Sequence, residues 1–280
     1  MGFYAPSQLL QDATKHGVEA HPVDVQISQW HCTLENPDPA MSADSSPIIR
    51  LGLNRIKGFS ESTAKRLIAA REQGLFTSVQ DLNRRGGLNR RDLDLLTGSG
   101  ALARLAGHRH LARWQSLGVM SMPPLLDTAV FNEVSPMLPV PTEGQDLVAD
   151  YKSLGLTLGR HPLDLLRSRL DRMGLQNAEA INRLRHGDRV CTAGLVINRQ
   201  RPSTASGVIF MTLEDEIGSI NVVLWPWVAE KQRTQMLRSR LLLIRGVIER
   251  EGDVIHVVAS KLEDHTSLLG RLKTSSRDFH

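Results

Sequence analysis

The chain has 280 residues, enough for two or three domains, with 41% apolar and only 4% aromatic residues and a formal net charge of +4. No apolar run approaches the ~20 residues of a membrane helix, and no signal peptide opens the chain. Cys32 and Cys191 lie far apart and without a Cys-x-x-Cys, which points to free thiols in a reducing compartment and away from a disulfide framework. His108-x-His110 is the nearest approach to a ligand pair, but no cysteine or carboxylate stands at ligand spacing, so no metal site is predicted. The modest net charge hides an asymmetry. Residues 1–49 carry 1 Lys or Arg against 6 Asp and Glu, whereas residues 50–115 carry 13 against 5. One strongly basic module of this kind points to a polyanionic partner.

That basic module begins with Leu53–Arg71, which reads as a helix, a tight turn at Ile56-Lys57-Gly58-Phe59-Ser60, and a second helix with Ala64, Leu67 and Ile68 on one face. Gly58 suits a positive φ and a close backbone approach. Ser60 is placed to cap the second helix, with Glu61 in its first turn. The result is a helix-hairpin-helix pattern whose helix N-terminus is suited to a nucleic-acid phosphate, and Lys57 and Lys65 add mobile positive charge nearby. An ordinary helical hairpin, with glycine serving only the turn, is the alternative.

A further helix is predicted from the segment Phe76–Leu82, broken at Gly86-Gly87, and another over Asn89–Leu96, stopped at Gly98-Ser99-Gly100. Arg84, Arg85, Arg90 and Arg91 surround this second turn. Two hairpins in tandem bury their apolar faces against each other, which turns both loops one way. The candidate DNA-binding residues are therefore Lys57, Gly58, Phe59, Ser60, Lys65, Arg84, Arg85, Gly87, Arg90 and Arg91. Asp92 with Asp94, and Glu214 to Glu216, are spaced like solvated helix and turn positions, and no acidic pair suggests a two-metal site. No catalytic residue is nominated.

Ser121–Gln145 holds Pro123, Pro124, Pro136, Pro139 and Pro141 and reads as a linker. From Gly187 the period becomes that of strands. Arg189–Ile197, Val208–Leu213 and Ser219–Trp225 are three strands, a helix runs from Pro226 to about Arg238, and Leu241–Ile248 and Val254–Ala259 follow around a turn at Glu251-Gly252-Asp253. Three strands, a helix and two strands is the order of an OB-fold. The long loop after its first strand carries Arg199 and Arg201, and Phe210 on the second strand is placed to stack on a base. Trp225 and Trp227 read as residues packed under the helix. The same barrel could equally serve protein contact, so Arg199, Arg201 and Phe210 are candidates for nucleic-acid or partner binding.

The order of these parts resembles the C-terminal third of the bacterial C-family polymerases, the DNA polymerase III alpha-subunit family, and within it the error-prone, damage-inducible branch that works with a mutasome. Phe3-Tyr4 with Pro6, Leu9, Asp12 and Ala13 is similar to the family's opening helix. His16-Gly17-Val18 with Pro22-Val23-Asp24-Val25, and then Trp30-x-Cys32-Thr33-Leu34-Glu35, resemble the strand region after it. Leu51-Gly52-Leu53 leads into the hairpins as in the family. Tyr151, Leu154-Gly155-Leu156, Leu158 and His161-Pro162-Leu163 resemble the segment before the OB-fold. Arg199-Gln200-Arg201-Pro202 and Ser276-Arg277-Asp278-Phe279-His280 are similar to the error-prone branch in particular.

The resemblance implies an α+β multidomain chain: the end of a fingers-like region over 1–49, a tandem helix-hairpin-helix domain over 50–115, a Pro-rich linker with helices over 116–185, an OB-fold over 186–264 and a tail over 265–280. It implies the DNA-binding C-terminal region of a translesion DNA polymerase, a nucleotidyltransferase of DNA repair and replication. The palm carboxylates and the magnesium expected with them belong to domains outside this chain, which is expected to be a fragment with no cofactor of its own and no activity alone. The implied partners are duplex DNA, single-stranded DNA and an accessory Y-family-like mutasome protein, in the bacterial cytoplasm at the nucleoid and with no membrane. Contact with the sliding clamp is expected to be indirect. The candidate clamp peptide, Gln115-Ser116-Leu117-Gly118-Val119-Met120, lacks the aromatic end of the family's motif, and its position after Ala112-Arg113-Trp114 suggests a helix. A non-catalytic protein-docking module of a repair assembly is the alternative function.

Overall fold

The computed structural model describes residues 6–36, 47–119, 136–202, 207–252 and 254–270. The motif residues Phe3-Tyr4, most of the Pro-rich stretch, Met120, the loop positions 203–206, Asp253 and the tail from Arg271 lie outside them. The chain divides into two compact units, Met1–Leu158 and Gly159–His280.

In the first unit, helix α1 (Pro6–Lys15) precedes a small sheet of β1 (Ala20–His21), β2 (Thr33–Glu35) and β3 (Ile48–Arg50), in the order β1-β3-β2. Helices α2 (Glu61–Glu72), α3 (Val79–Gly86), α4 (Arg90–Gly98), α5 (Ala103–Ala106), α6 (Arg109–Gly118) and α7 (Glu143–Ser153) follow. The full helix expected before Gly58 is only a 3₁₀ turn, Leu53–Arg55. Its first two N–H groups go to carbonyls outside it, Leu53 to Gln29 and Asn54 to Trp30 at 2.8 and 2.9 Å, and Ile56 leaves it with extended backbone at φ −74° and ψ 113°, so it ends after one turn. Leu53, Ile56, Leu67, Leu82, Leu96 and Leu102 form one fully buried core, which Leu154 and Leu156 after α7 join.

In the second unit, α8 (Pro162–Arg172) and α9 (Ala178–Asn182) lead into a closed five-stranded barrel. Its strands are β4 (Arg189–Gln200), β5 (Ile209–Glu214), β6 (Ser219–Leu224), β7 (Leu241–Glu251) and β8 (Val254–Asp264), ordered β4-β5-β6-β8-β7 with β6 and β8 parallel. This is the OB-fold order, and the chain is α+β as expected. Alternation puts Met211, Leu213, Ile220, Val222, Ile244 and Val257 inside. The single helix expected from Pro226 to Arg238 is two, α10 (Pro226–Lys231) and α11 (Arg233–Arg238). They break at Gln232, whose side-chain oxygen accepts from Leu262 N–H at 2.6 Å and whose amide donates to the Ser260 carbonyl at 3.3 Å.

Of the acids expected to be solvated, Asp94 is exposed as expected, whereas the others are structural. Asp215 is buried and accepts from Ala178, Ile217 and Gly218 N–H at 2.6–2.9 Å, which builds the β5–β6 turn around one carboxylate. Glu216 pairs with Arg167 at 2.7 Å. Glu214 faces His161 Nε2 at 3.3 Å. Asp92 is buried in a capping box at the start of α4.

Candidate nucleic-acid interface

The first hairpin turn is built as the local sequence predicts. Ile56 and Phe59 are buried, so the turn is pinned from below and Gly58 stands outward with φ +80°. Ser60 has extended backbone and its Oγ accepts from Thr63 N–H at 3.1 Å, capping α2. Phe59, predicted within the binding turn, thus serves as its anchor.

The second turn repeats the plan. Gly87 takes the left-handed conformation at φ +56° after α3 and Leu88 is buried beneath it. Asn89 Oδ1 accepts from Asp92 N–H at 2.9 Å while Asp92 Oδ2 accepts from Asn89 N–H at 3.2 Å, satisfying two donors at the N-terminus of α4 reciprocally.

The second turn is held to α2. Arg66 of α2 reaches across to the second turn, donating to the Gly87 carbonyl at 3.4 Å and the Gly86 carbonyl at 3.5 Å. Arg91 of α4 lies beside the first turn without a bond to it: a Cβ placed on Gly58 would stand 3.5 Å from its guanidinium. Sequence reading did not single out Arg66, because nothing in its spacing marks an arginine whose partners are carbonyls twenty residues away.

The predicted cations separate into two groups. Arg91 is exposed and makes no hydrogen bond or ion pair among the described residues. Lys65 is exposed and paired with Glu61 at 2.9 Å, and this ammonium holds the Glu61 carboxyl below the usual range through its hydrogen bond. Arg84 is exposed and lies 3.3 Å from Asp81. Arg90 is half exposed, 3.5 Å from Asp94, and donates to the Ser116 carbonyl at 3.2 Å.

Lys57 and Arg85 are committed elsewhere. Lys57 was expected as mobile charge. Its Nζ instead donates to the Tyr151 carbonyl at 3.0 Å and its backbone N–H to that of Ser153 at 2.8 Å, closing the C-terminal end of α7 where a cation is favoured. Arg85 lies over the Phe76 ring at 4.8 Å and donates to the carbonyls of Ala70, Gly74 and Leu75, so it ties off the C-terminus of α2.

On the barrel, Phe210 points outward from β5, partly exposed, between Gln200 of β4 and Val223 of β6. Arg201 is exposed. Arg199 corrects the prediction. It belongs to β4 and not to the loop, is 3% exposed, and donates to the carbonyls of Met236 at 2.7 Å and Ser239 at 2.6 Å. A guanidinium spent on the end of α11 is not offered to a ligand. Trp225 and Trp227, expected under the helix, are 48% and 62% exposed. They flank Pro226 at the start of α10, where the backbone turns before either ring can reach the core.

Among the described residues no group of three His, Cys, Asp or Glu side chains is arranged to hold a metal ion, and no helix is long and apolar enough to cross a membrane.

Comparison with known proteins agrees with this division. Residues 17–112 match the helix-hairpin-helix motif family, and residues 190–264 match a family described as an OB-fold nucleic acid binding domain. The error-prone DNA polymerase of Alkalilimnicola ehrlichii is 52% identical over the whole chain, which covers 27% of that protein. Those of Methylococcus capsulatus and Pseudomonas paraeruginosa are 48% and 49% identical over the whole chain, which covers 28% and 27% of them. The chain therefore spans little more than a quarter of the length of these relatives. Along its entire length, and in both of its domains, it is a relative of one region of the error-prone DNA polymerases.

Proposed function

We propose that this chain is the DNA-holding C-terminal region of a damage-induced, error-prone DNA polymerase. The hairpin pair grips duplex through its phosphates, and the outer face of β5 and β6 takes single strand or a partner. Nucleotidyl transfer and its magnesium belong to the rest of the longer protein, so the chain alone is inactive. The setting is the bacterial cytoplasm at the nucleoid. The observation that carries this reading is the pair of glycine turns, the second held to α2 by Arg66. They set the capped N-termini of α2 and α4 beside Arg91 and Lys65, an arrangement suited to two neighbouring phosphates and indifferent to base sequence.

Lys57 supports α7, so the informative variant is Lys65→Glu with Arg91→Glu. Duplex affinity is expected to fall about tenfold or more at low salt, equally for unrelated sequences, and the slope of log affinity against log salt to shrink by about 2. Anisotropy titrations at several salt concentrations measure both. An unchanged slope would take the hairpins out of the DNA contact.

For the barrel, Phe210→Ala is expected to cost about 1–3 kcal/mol of single-strand affinity, the scale of one base–aromatic stack. No change in oligonucleotide titrations would leave that face to a protein partner.

The candidate clamp peptide supports indirect recruitment. Gln115 and Leu117 lie within α6, and Ser116 is buried with its Oγ 3.0 Å from Thr97 Oγ1. A helix pinned in this way cannot extend into a groove. Calorimetry against purified clamp is expected to show no binding. Recruitment then passes through an accessory Y-family-like mutasome protein. A tight complex abolished by Gln115→Ala with Leu117→Ala would refute this.

A further inference from the structure

The barrel carries a groove that the DNA-holding role does not use. It lies between the ends of the loop after β4 and the outer side of α10 and α11, and has a volume of about 480 Å³. Ile209, Ala229, Met236 and Leu237 make its apolar floor, and Arg201 and Arg233 stand at its rim. Both guanidinium groups are exposed, and neither has an ion-pair partner among the described residues. Among the described residues Glu230 is the one acid lining the groove, while Lys231 and Arg238 add further positive charge on the same two helices.

We infer that this groove docks a partner protein through an acidic peptide segment carrying one large apolar side chain. The floor takes the apolar anchor, which is where such interfaces concentrate their affinity, and the unpaired rim arginines take carboxylates on either side, forked hydrogen bonds suiting that geometry. Nucleic acid fits less well, because the described lining residues include no aromatic ring to stack a base. The chain's own tail fits less well too. It leaves the described residues at Gly270 and carries Arg271, Lys273 and Arg277 against Asp278, so its charge matches the rim it would have to approach. The inference goes beyond the DNA contacts proposed above and does not depend on them.

The test is selection of a displayed library of random linear peptides on the immobilised full chain, followed by anisotropy titration of the enriched peptide. Enriched sequences are expected to place Asp and Glu around a single Leu, Phe or Trp. Affinity is expected to fall about tenfold or more in Arg201→Glu with Arg233→Glu, and likewise in Leu237→Ser. Ile217→Ser, at an exposed position of the β5–β6 turn outside the groove lining, is expected to leave it unchanged. All three groove positions are exposed, so these variants keep the fold, which circular dichroism verifies. The inference is overturned by a failure to enrich, by enriched peptides without acidic bias, or by indifference to the groove variants. It is equally overturned if thymidine oligonucleotides compete through the same arginines, or if a chain ending at Gly270 binds the peptide markedly more tightly, which would make the tail the occupant.

Discussion

Replacing Arg199 with leucine is expected to destabilise the barrel by about 2–6 kcal/mol, because two buried carbonyls, those of Met236 and Ser239, lose their donor and each costs about 1–3 kcal/mol unsatisfied. The side chain lies under the end of α11 with 3% of its surface exposed, and the shorter, apolar leucine restores neither the hydrogen bonds nor the full packing. Urea unfolding followed by circular dichroism is expected to show an earlier transition for the barrel. Duplex binding by the hairpin unit is expected to persist under conditions where the barrel remains folded. Arg199→Lys should recover only part of the loss, since one ammonium cannot span both carbonyls in the planar geometry of a guanidinium. If Arg199→Leu instead unfolded like the wild type and lost only oligonucleotide affinity, the arginine would be a ligand contact after all.

Gly52→Ala is expected to cost roughly 3 kcal/mol in the hairpin unit, the upper range for forcing atoms into a packed interior. Its backbone, at φ −82° and ψ 160°, is open to any residue. What demands glycine is proximity: a Cβ there would stand 2.3 Å from the His31 carbonyl carbon, 2.5 Å from the Trp30 oxygen and 2.6 Å from the Cys32 nitrogen. All three are main-chain atoms, so no rotamer change relieves the overlap, and the pairing that sets the first hairpin turn must open. At about 2–4 °C per kcal/mol for a unit of this size, the melting temperature should fall by about 6–12 °C. Gly58→Ala is the contrast. A Cβ at Gly58 meets only the Arg91 guanidinium at 3.5 Å, and the penalty is the positive φ of +80°, about 1–2 kcal/mol. Its larger effect is expected on duplex affinity. Unfolding and binding measured on both variants separate a glycine that holds the turn from one that presents it.

Much of this architecture is legible in the chain because its causes are local. Ser60 and Asn89 announce helix starts through side-chain oxygens that reach N–H groups three residues on. Gly58 and Gly87 mark the positive-φ turns. The alternation from Arg189 onward marks five strands, because a barrel strand has one face inside and one outside. The apolar positions of α2 and α4 point to the core in the same way.

The fate of the long cations and of the tryptophans was settled by tertiary structure alone. Lys57, Arg85, Arg91 and Arg199 are alike in sequence, each a cation near a turn. Arg91 ends in solvent beside Gly58, whereas Lys57 closes α7 on the Tyr151 carbonyl, Arg85 closes α2, and Arg199 closes α11. A flexible stem of several carbons carries the charge well away from its own backbone, so its partner is chosen by whichever carbonyls the fold leaves open within reach. For Lys57 and Arg199 those carbonyls belong to residues 94 and up to 40 positions away. Trp225 and Trp227 follow the same logic in reverse: their apolar rings suggest burial, and the tertiary structure leaves them 48% and 62% exposed on either side of Pro226.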